Sequence, residues 1–148
     1  MTRLELEGFE LDDDRSRLDI DAIHDFISER SYWGRGRSRE RVQGTIEGSW
    51  RVMGLYRGAE QIGFARAISD GVTLAYLADV YVLEPYRGRG LGLALVREMV
   101  ERAPDLHWML NTRDAQGLYA RLGFREGPTS YPLMERARSH AAAQKRPQ

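Results

Sequence analysis

Three groups of residues in this 148-residue chain could act chemically. The first is Arg87-Gly88-Arg89-Gly90-Leu91-Gly92, which comes after an apolar run rich in β-formers and opens a helical pattern at Leu91. A strand feeding a glycine-rich turn at a helix start presents unpaired backbone N–H groups at the positive end of a helix dipole, which suits a phosphate. The second group is a pair of titratable side chains, Asp79 and Tyr119. Asp79 interrupts an apolar strand, where a carboxylate without a partner is costly. Tyr119 carries a phenol with a reference pKa of about 10, protonated at neutral pH and able to donate to an anion as it forms. The third is Tyr32-Trp33, flanked by Gly34 and Gly36. It reads either as a partly exposed lid with a flat apolar surface or as a loop anchored by one buried tryptophan.

Two common phosphate loops do not fit. A P-loop closes its glycine run with Lys-Ser/Thr, and Gly90-Leu91-Gly92 is followed by Leu93-Ala94. A dinucleotide loop needs Gly-x-Gly-x-x-Gly and an acid about 20 residues on, and neither is present in register. The plain alternative is a helix start with a flexible glycine lead-in. The chain has no cysteine, so disulfides, thiol nucleophiles and cysteine-based zinc sites are excluded. Its three histidines are scattered, and no metal site is expected.

Periodicity gives the framework that holds these residues. Thr2 to Asp13 predicts an opening strand or two. Asp19 caps a helix bearing Ile20, Ile23 and Ile27, and Ser38 caps a second running to about Gly48. Residues 51–56 and 61–68 alternate as two strands joined at Arg57-Gly58, and 74–83 is the long strand that carries Asp79. From Leu91 to Arg102 two adjacent i, i+4 rows make a broad apolar helix face. A strand over 106–111, a helix over 114–121 and two short terminal strands near Phe124 and 133–135 complete the pattern. Length and composition, 42% hydrophobic and 30% charged, indicate one domain over 1–136, and 137–148 reads as a disordered, solvated tail. With 22 basic and 22 acidic residues the formal charge is zero, which argues against a dedicated nucleic-acid binder. With neither a signal-type segment nor a span-length apolar stretch, the expected address is cytoplasmic, off the membrane.

Two motifs then carry a family resemblance. Arg87-x-x-Gly90-x-Gly92 after a strand resembles the acyl-CoA pyrophosphate loop of the GNAT N-acetyltransferases, Arg/Gln-x-x-Gly-x-Gly/Ala. Leu118-Tyr119-x-x-x-Gly123-Phe124 is similar to their second landmark, with room between the two for one helix and one strand. The resemblance implies an α/β (α+β) GNAT acyl-CoA N-acyltransferase fold, a mixed central sheet of about six to seven strands with helices on both faces. It implies acetyl-CoA as cosubstrate, held by the loop Arg87, Gly88, Arg89, Gly90, Leu91 and Gly92. The backbone of Val80, Tyr81 and Val82 would pair with the pantetheine arm, with Asn111 on the facing strand. Tyr119 would sit at the thioester and protonate the leaving thiolate. Tyr32, Trp33 and Asp79 would meet the acceptor.

Asp79 stands open among three roles: draining the amine's proton, binding a cationic amine, or pairing with an arginine across the sheet. Polyamine acetyltransferases have two successive acids here. Ala78-Asp79 lacks the first, which weakens a polyamine reading. The function implied is direct acetyl transfer in a ternary complex to a primary amine of a small molecule, with a homodimer compatible with the family. The alternatives are an acyl-CoA sensor without turnover and an acetyltransferase of protein or peptide amines. A third reading takes Arg35-Gly-Arg37 and Arg87-Gly-Arg89 as nucleic-acid contacts.

Overall fold

A computed structural model describes residues 3–127 and 131–138. Two antiparallel hairpin strands open the chain, β1 (Arg3–Leu6) and β2 (Phe9–Asp12), followed by α1 (Ile20–Asp25) and α2 (Arg39–Gly48). Asp19 accepts from the Ala22 N–H and Ser38 from the Arg41 N–H, so both helices start at the side chains their sequence offers as caps. The meander β3 (Arg51–Arg57), β4 (Glu60–Ser69) and β5 (Leu74–Val82) follows. Then come α3 (Leu91–Glu101), β6 (His107–Met109) and α4 (Gln116–Ala120).

The six strands lie in sequence order in one sheet. Each pair from β1 to β5 is antiparallel, and β6 joins β5 in parallel after the α3 crossover. Side chains alternate through the sheet and build two cores. On one face Met53, Leu55, Ile62 and Leu77 pack with Leu91, Leu95, Val96 and Met99 of α3. On the other, Val52, Phe64 and Tyr81 pack with Ile23, Phe26 and Ile27, and with Val42 and Ile46 of α2. Each face of the sheet is thus closed by helices, as the apolar rows of the sequence require.

Two expectations need correction. The strand over 106–111 is only three residues long. The terminal strands near Phe124 and 133–135 are absent among the described residues. Tyr131, Leu133 and Met134 are 82%, 70% and 89% exposed, so their apolar side chains find no sheet face to alternate against. The tail beyond residue 138 lies outside the described residues. No helix among those described is long and apolar enough to cross a membrane.

Leu95 is fully buried where α3 crosses the sheet. Leu95→Ala should lower unfolding free energy by about 2–5 kcal/mol, read from urea denaturation, because the cavity left under α3 closes only in part.

Candidate active site

The site originates in a defect of the sheet. Phe64 of β4 lies opposite Tyr81 and Arg66 opposite Ala78, so Ala65 faces two residues of β5, Asp79 and Val80. Asp79 adopts φ +54°, the left-handed conformation that aspartate tolerates better than most residues. A bulge of this kind bends its strand and re-aims side chains. β5 and β6 have already parted when the bulge is reached. Their pairing is confined to Leu74–Tyr76 with His107–Met109. On the side away from β4 the main chain of Val80 to Val82 has no strand partner, and an extended ligand can pair there except at the Val82 carbonyl, which a side chain occupies.

Two cavities fill the opening, of about 710 Å³ at the glycine-loop end and about 550 Å³ at the Asp79 end. Tyr32, Trp33, Val80 and Tyr119 are among the residues that line both, so the two cavities adjoin.

In the larger cavity, Gly88 and Gly90 hold φ +80° and +78°, and Gly90 caps α3. A side chain at either would be strained by the backbone alone. Among the described residues no main-chain hydrogen bond engages the N–H groups of residues 88 to 93. The Arg87 Nε donates to the Val82 carbonyl at 2.8 Å and ties the loop to the end of β5. Arg89 instead leans toward the rings of Phe9 and Tyr86 and does not line the cavity. The result is a backbone cradle of unpaired N–H groups at a helix start, a geometry that could receive an anion.

The smaller cavity is built on Asp79. Its Oδ1 accepts from the Trp33 indole N–H at 2.7 Å. Its Oδ2 accepts from Arg37 Nη1 and Arg66 Nε, each at 2.7 Å. Burial pushes the carboxyl up, but Arg66 and Arg37 together outweigh it and hold the pKa below its ordinary 3.8. A carboxylate so committed has no basicity left at neutral pH. Of the three roles open to Asp79, the geometry matches the arginine pair across the sheet, with Arg37 as a second partner.

Trp33 is thereby anchored, and so is its loop. Phe26–Arg30 forms a π turn, with the Ser31 N–H reaching back to the Phe26 carbonyl. Buried Ser31 bonds the Ile27 carbonyl and receives the Gly34 N–H. The Tyr32 hydroxyl accepts from the Arg113 N–H at 3.0 Å. The loop matches neither reading in full: its tryptophan is anchored to Asp79 but only half-buried, and Tyr32 beside it is exposed.

Tyr119 is buried in α4. Gly123 at φ +89° closes that helix, and the Phe124 N–H returns to the Tyr119 carbonyl, which brings the Phe124 ring edge-on to the Tyr119 ring at 5.8 Å. That is the physical content of the Leu-Tyr-x-x-x-Gly-Phe spacing: the glycine permits the fold-back that packs the tyrosine. Burial first, then the Tyr32 phenol, pushes the Tyr119 pKa up to about 12. Thr112 Oγ1 accepts from the Ala115 N–H just ahead of α4. Asn111 lies past the end of β6 and accepts from the Tyr76 hydroxyl. It lines the Asp79 cavity and not the glycine-loop one. The short β6 is the reason, since it ends before Asn111 can face Val80 to Val82.

Comparison with known proteins decides the family. Residues 49–126 match the model of the family described as Acetyltransferase (GNAT) domain. The chain belongs to the GNAT family. FG08082 of Gibberella zeae, a protein with an inferred acetyltransferase name, is 31% identical over 76% of this chain and 77% of its own. A crystal structure from Xanthomonas campestris, assigned to the same family, superposes with TM-score 0.80 at 40% identity, covering 90% of this chain and 95% of that one. Glucosamine-6-phosphate N-acetyltransferase from Arabidopsis thaliana shares the fold at TM-score 0.61 and 12% identity, over 86% of this chain and 99% of its own.

Sequence reasoning missed Arg37 and Arg66 as site residues of this GNAT protein. A signal existed for Arg66: it breaks the apolar run of β4 as Asp79 breaks that of β5, and two opposite charges in adjacent buried strands imply each other. Arg37 had no such marker among the five arginines between 30 and 41. Arg37 is engaged by Asp79 and Arg87 by Val82, so one arginine of each Arg-Gly-Arg segment is committed within the fold.

Asp79→Asn keeps a residue tolerant of positive φ but leaves two buried guanidinium groups without their anion, and should cost about 3–5 kcal/mol. Because the folded pKa is depressed, the carboxylate's contribution is present above the ordinary 3.8 and lost as pH falls through the lower folded value. Unfolding curves of the two proteins should therefore differ at pH 7, begin to approach each other as the pH falls below 3.8, and meet only under the lower folded value.

Proposed function

We propose that this GNAT protein transfers an acetyl group from acetyl-CoA to the amine of a small molecule by direct attack within a ternary complex. The observation that carries this reading is Tyr119, which lines both the cavity under the backbone anion cradle and the cavity beside Asp79. The free N–H groups of residues 88 to 93 suit the pyrophosphate, and the open edge of Val80 to Val82 suits an extended amide-bearing arm.

The amine must arrive neutral, or become so. No base is required of Asp79, since Arg37 and Arg66 supply a field that disfavours an ammonium ion, and its proton can leave to water through the open cavity. The nitrogen lone pair then attacks the thioester carbonyl. As the carbon–sulfur bond breaks, the thiolate takes the Tyr119 proton, and the nitrogen gives up its own to solvent while the phenol is restored. A phenol held near 12 remains a proton donor throughout the working range. The expected setting is cytoplasmic.

Tyr119→Phe should lower kcat by about a hundredfold or more while the affinity for CoA stays near that of the unaltered protein. Unchanged thiol release from acetyl-CoA by this variant would remove the phenol from the mechanism. If CoA binds but no amine elicits thiol release, the protein is a sensor and not an enzyme.

In the unaltered enzyme kcat/KM should rise with pH as the acceptor amine loses its proton. It should then hold level with no alkaline decline well below about 12, because Tyr119 keeps its proton there. A fall beginning near neutral pH would mean that another acid does the work.

A further inference from the structure

Both cavities carry more arginine than carboxylate in their walls, and at the Asp79 end this bears on the acceptor. Beside Asp79 the wall holds three guanidinium groups, Arg37, Arg66 and Arg113, against two carboxylates, Asp79 and Asp114. Arg113 and Asp114 pair with each other at 3.0 Å and are each 63% exposed, so they cancel at the rim. Inside remain Arg37 and Arg66, whose side chains are 10% and 11% exposed, with one carboxylate between them. One buried negative charge thus answers two positive ones. Glu135, whose charge bears on the Tyr76 hydroxyl, is exposed and is not among the residues lining the cavity.

Asp79 engages only Nη1 of Arg37 and Nε of Arg66. The other guanidinium N–H groups of both side chains form no hydrogen bond among the described residues, and neither side chain is sealed from the cavity. A buried guanidinium with free donors gains most from an oxyanion, which accepts along the edge of its fork. A purely cationic acceptor gains nothing there, because it would face a net positive wall.

We propose that the acceptor is an amine that also bears a carboxylate or phosphate, docked by that oxyanion on the unengaged edges of Arg66 and Arg37 with its amine toward Tyr119. The inference names a substrate class for the acetyl-transfer reading and rests on it.

The test uses the full chain saturated with CoA and matched acceptor pairs that differ only in the anion. Neutral amino acids are set against the amines left by removing their carboxylate, and O-phosphoethanolamine against ethanolamine. Binding is read by titration calorimetry, and turnover separately by thiol release from acetyl-CoA. In at least one pair the anionic member should bind about tenfold or more tightly, the scale of one charge-assisted hydrogen bond. The pair that shows it tells carboxylate from phosphate. Arg66→Lys keeps a positive charge beside Asp79 but gives up the fork, and should reduce that preference several-fold while the melting temperature shows that the protein is folded. Equal affinity within every pair, or none for either member, overturns the proposal. Binding of the anionic member without thiol release leaves the docking inference standing and defeats acetyl transfer. Thiol release that is as fast with the anion-free amines does the reverse.

Discussion

The cleft is organised around one extra residue that β5 carries opposite Ala65. The bulge at Asp79–Val80 begins three residues after the last β5–β6 pair, Tyr76 with Met109, in the stretch where β5 has no partner on that side. The strands part after Tyr76, and both an open edge and a cleft appear there. The bulge needs a residue that accepts positive φ, and it needs the side chain there to be held. Aspartate answers both demands, since its carboxylate gathers Trp33, Arg37 and Arg66 at 2.7 Å each. Backbone geometry and electrostatics are therefore coupled through one side chain.

That coupling reaches well beyond the sheet. Trp33 and Arg37 belong to the loop between α1 and α2, so the cluster draws the helical layer onto β5. The π turn at Phe26–Arg30 widens the end of the first helix, and Phe26 stacks on Tyr81 at 4.0 Å in the same region. Such turns are often found next to functional sites. Here the turn leads directly into Tyr32-Trp33, one ring reaching the Arg113 backbone and the other Asp79. The cavity at the Asp79 end is thereby built from distant segments joined by polar contacts and by packed rings.

The cofactor side is simpler because it is local. Strand end, glycine turn and helix start are contiguous in the chain, and unpaired N–H groups arise from helix geometry whatever the surroundings. Arg87 adds a tie to Val82 but does not create the cradle. One end of the cleft thus rests on backbone N–H groups that are contiguous in the chain, and the other on a buried cluster of two arginines and one carboxylate drawn from separate segments.

Local spacing in the chain was enough to specify the helices with their caps, the meander, the glycine loop and the position of Tyr119, because each rests on hydrogen bonds and periodicity within a few residues. It also marked Asp79 as anomalous, since a charge in an apolar strand must find a partner. Which partner it finds was settled by the assembled fold. Arg37 lies 42 positions away and Arg66 on a neighbouring strand whose register is shifted by the bulge, and no periodicity reports a register shift. The same limit applies to the strands expected near Phe124 and 133–135 and to the place of Asn111. A short apolar run states that it prefers a sheet, but only the complete sheet determines whether an edge is there to receive it.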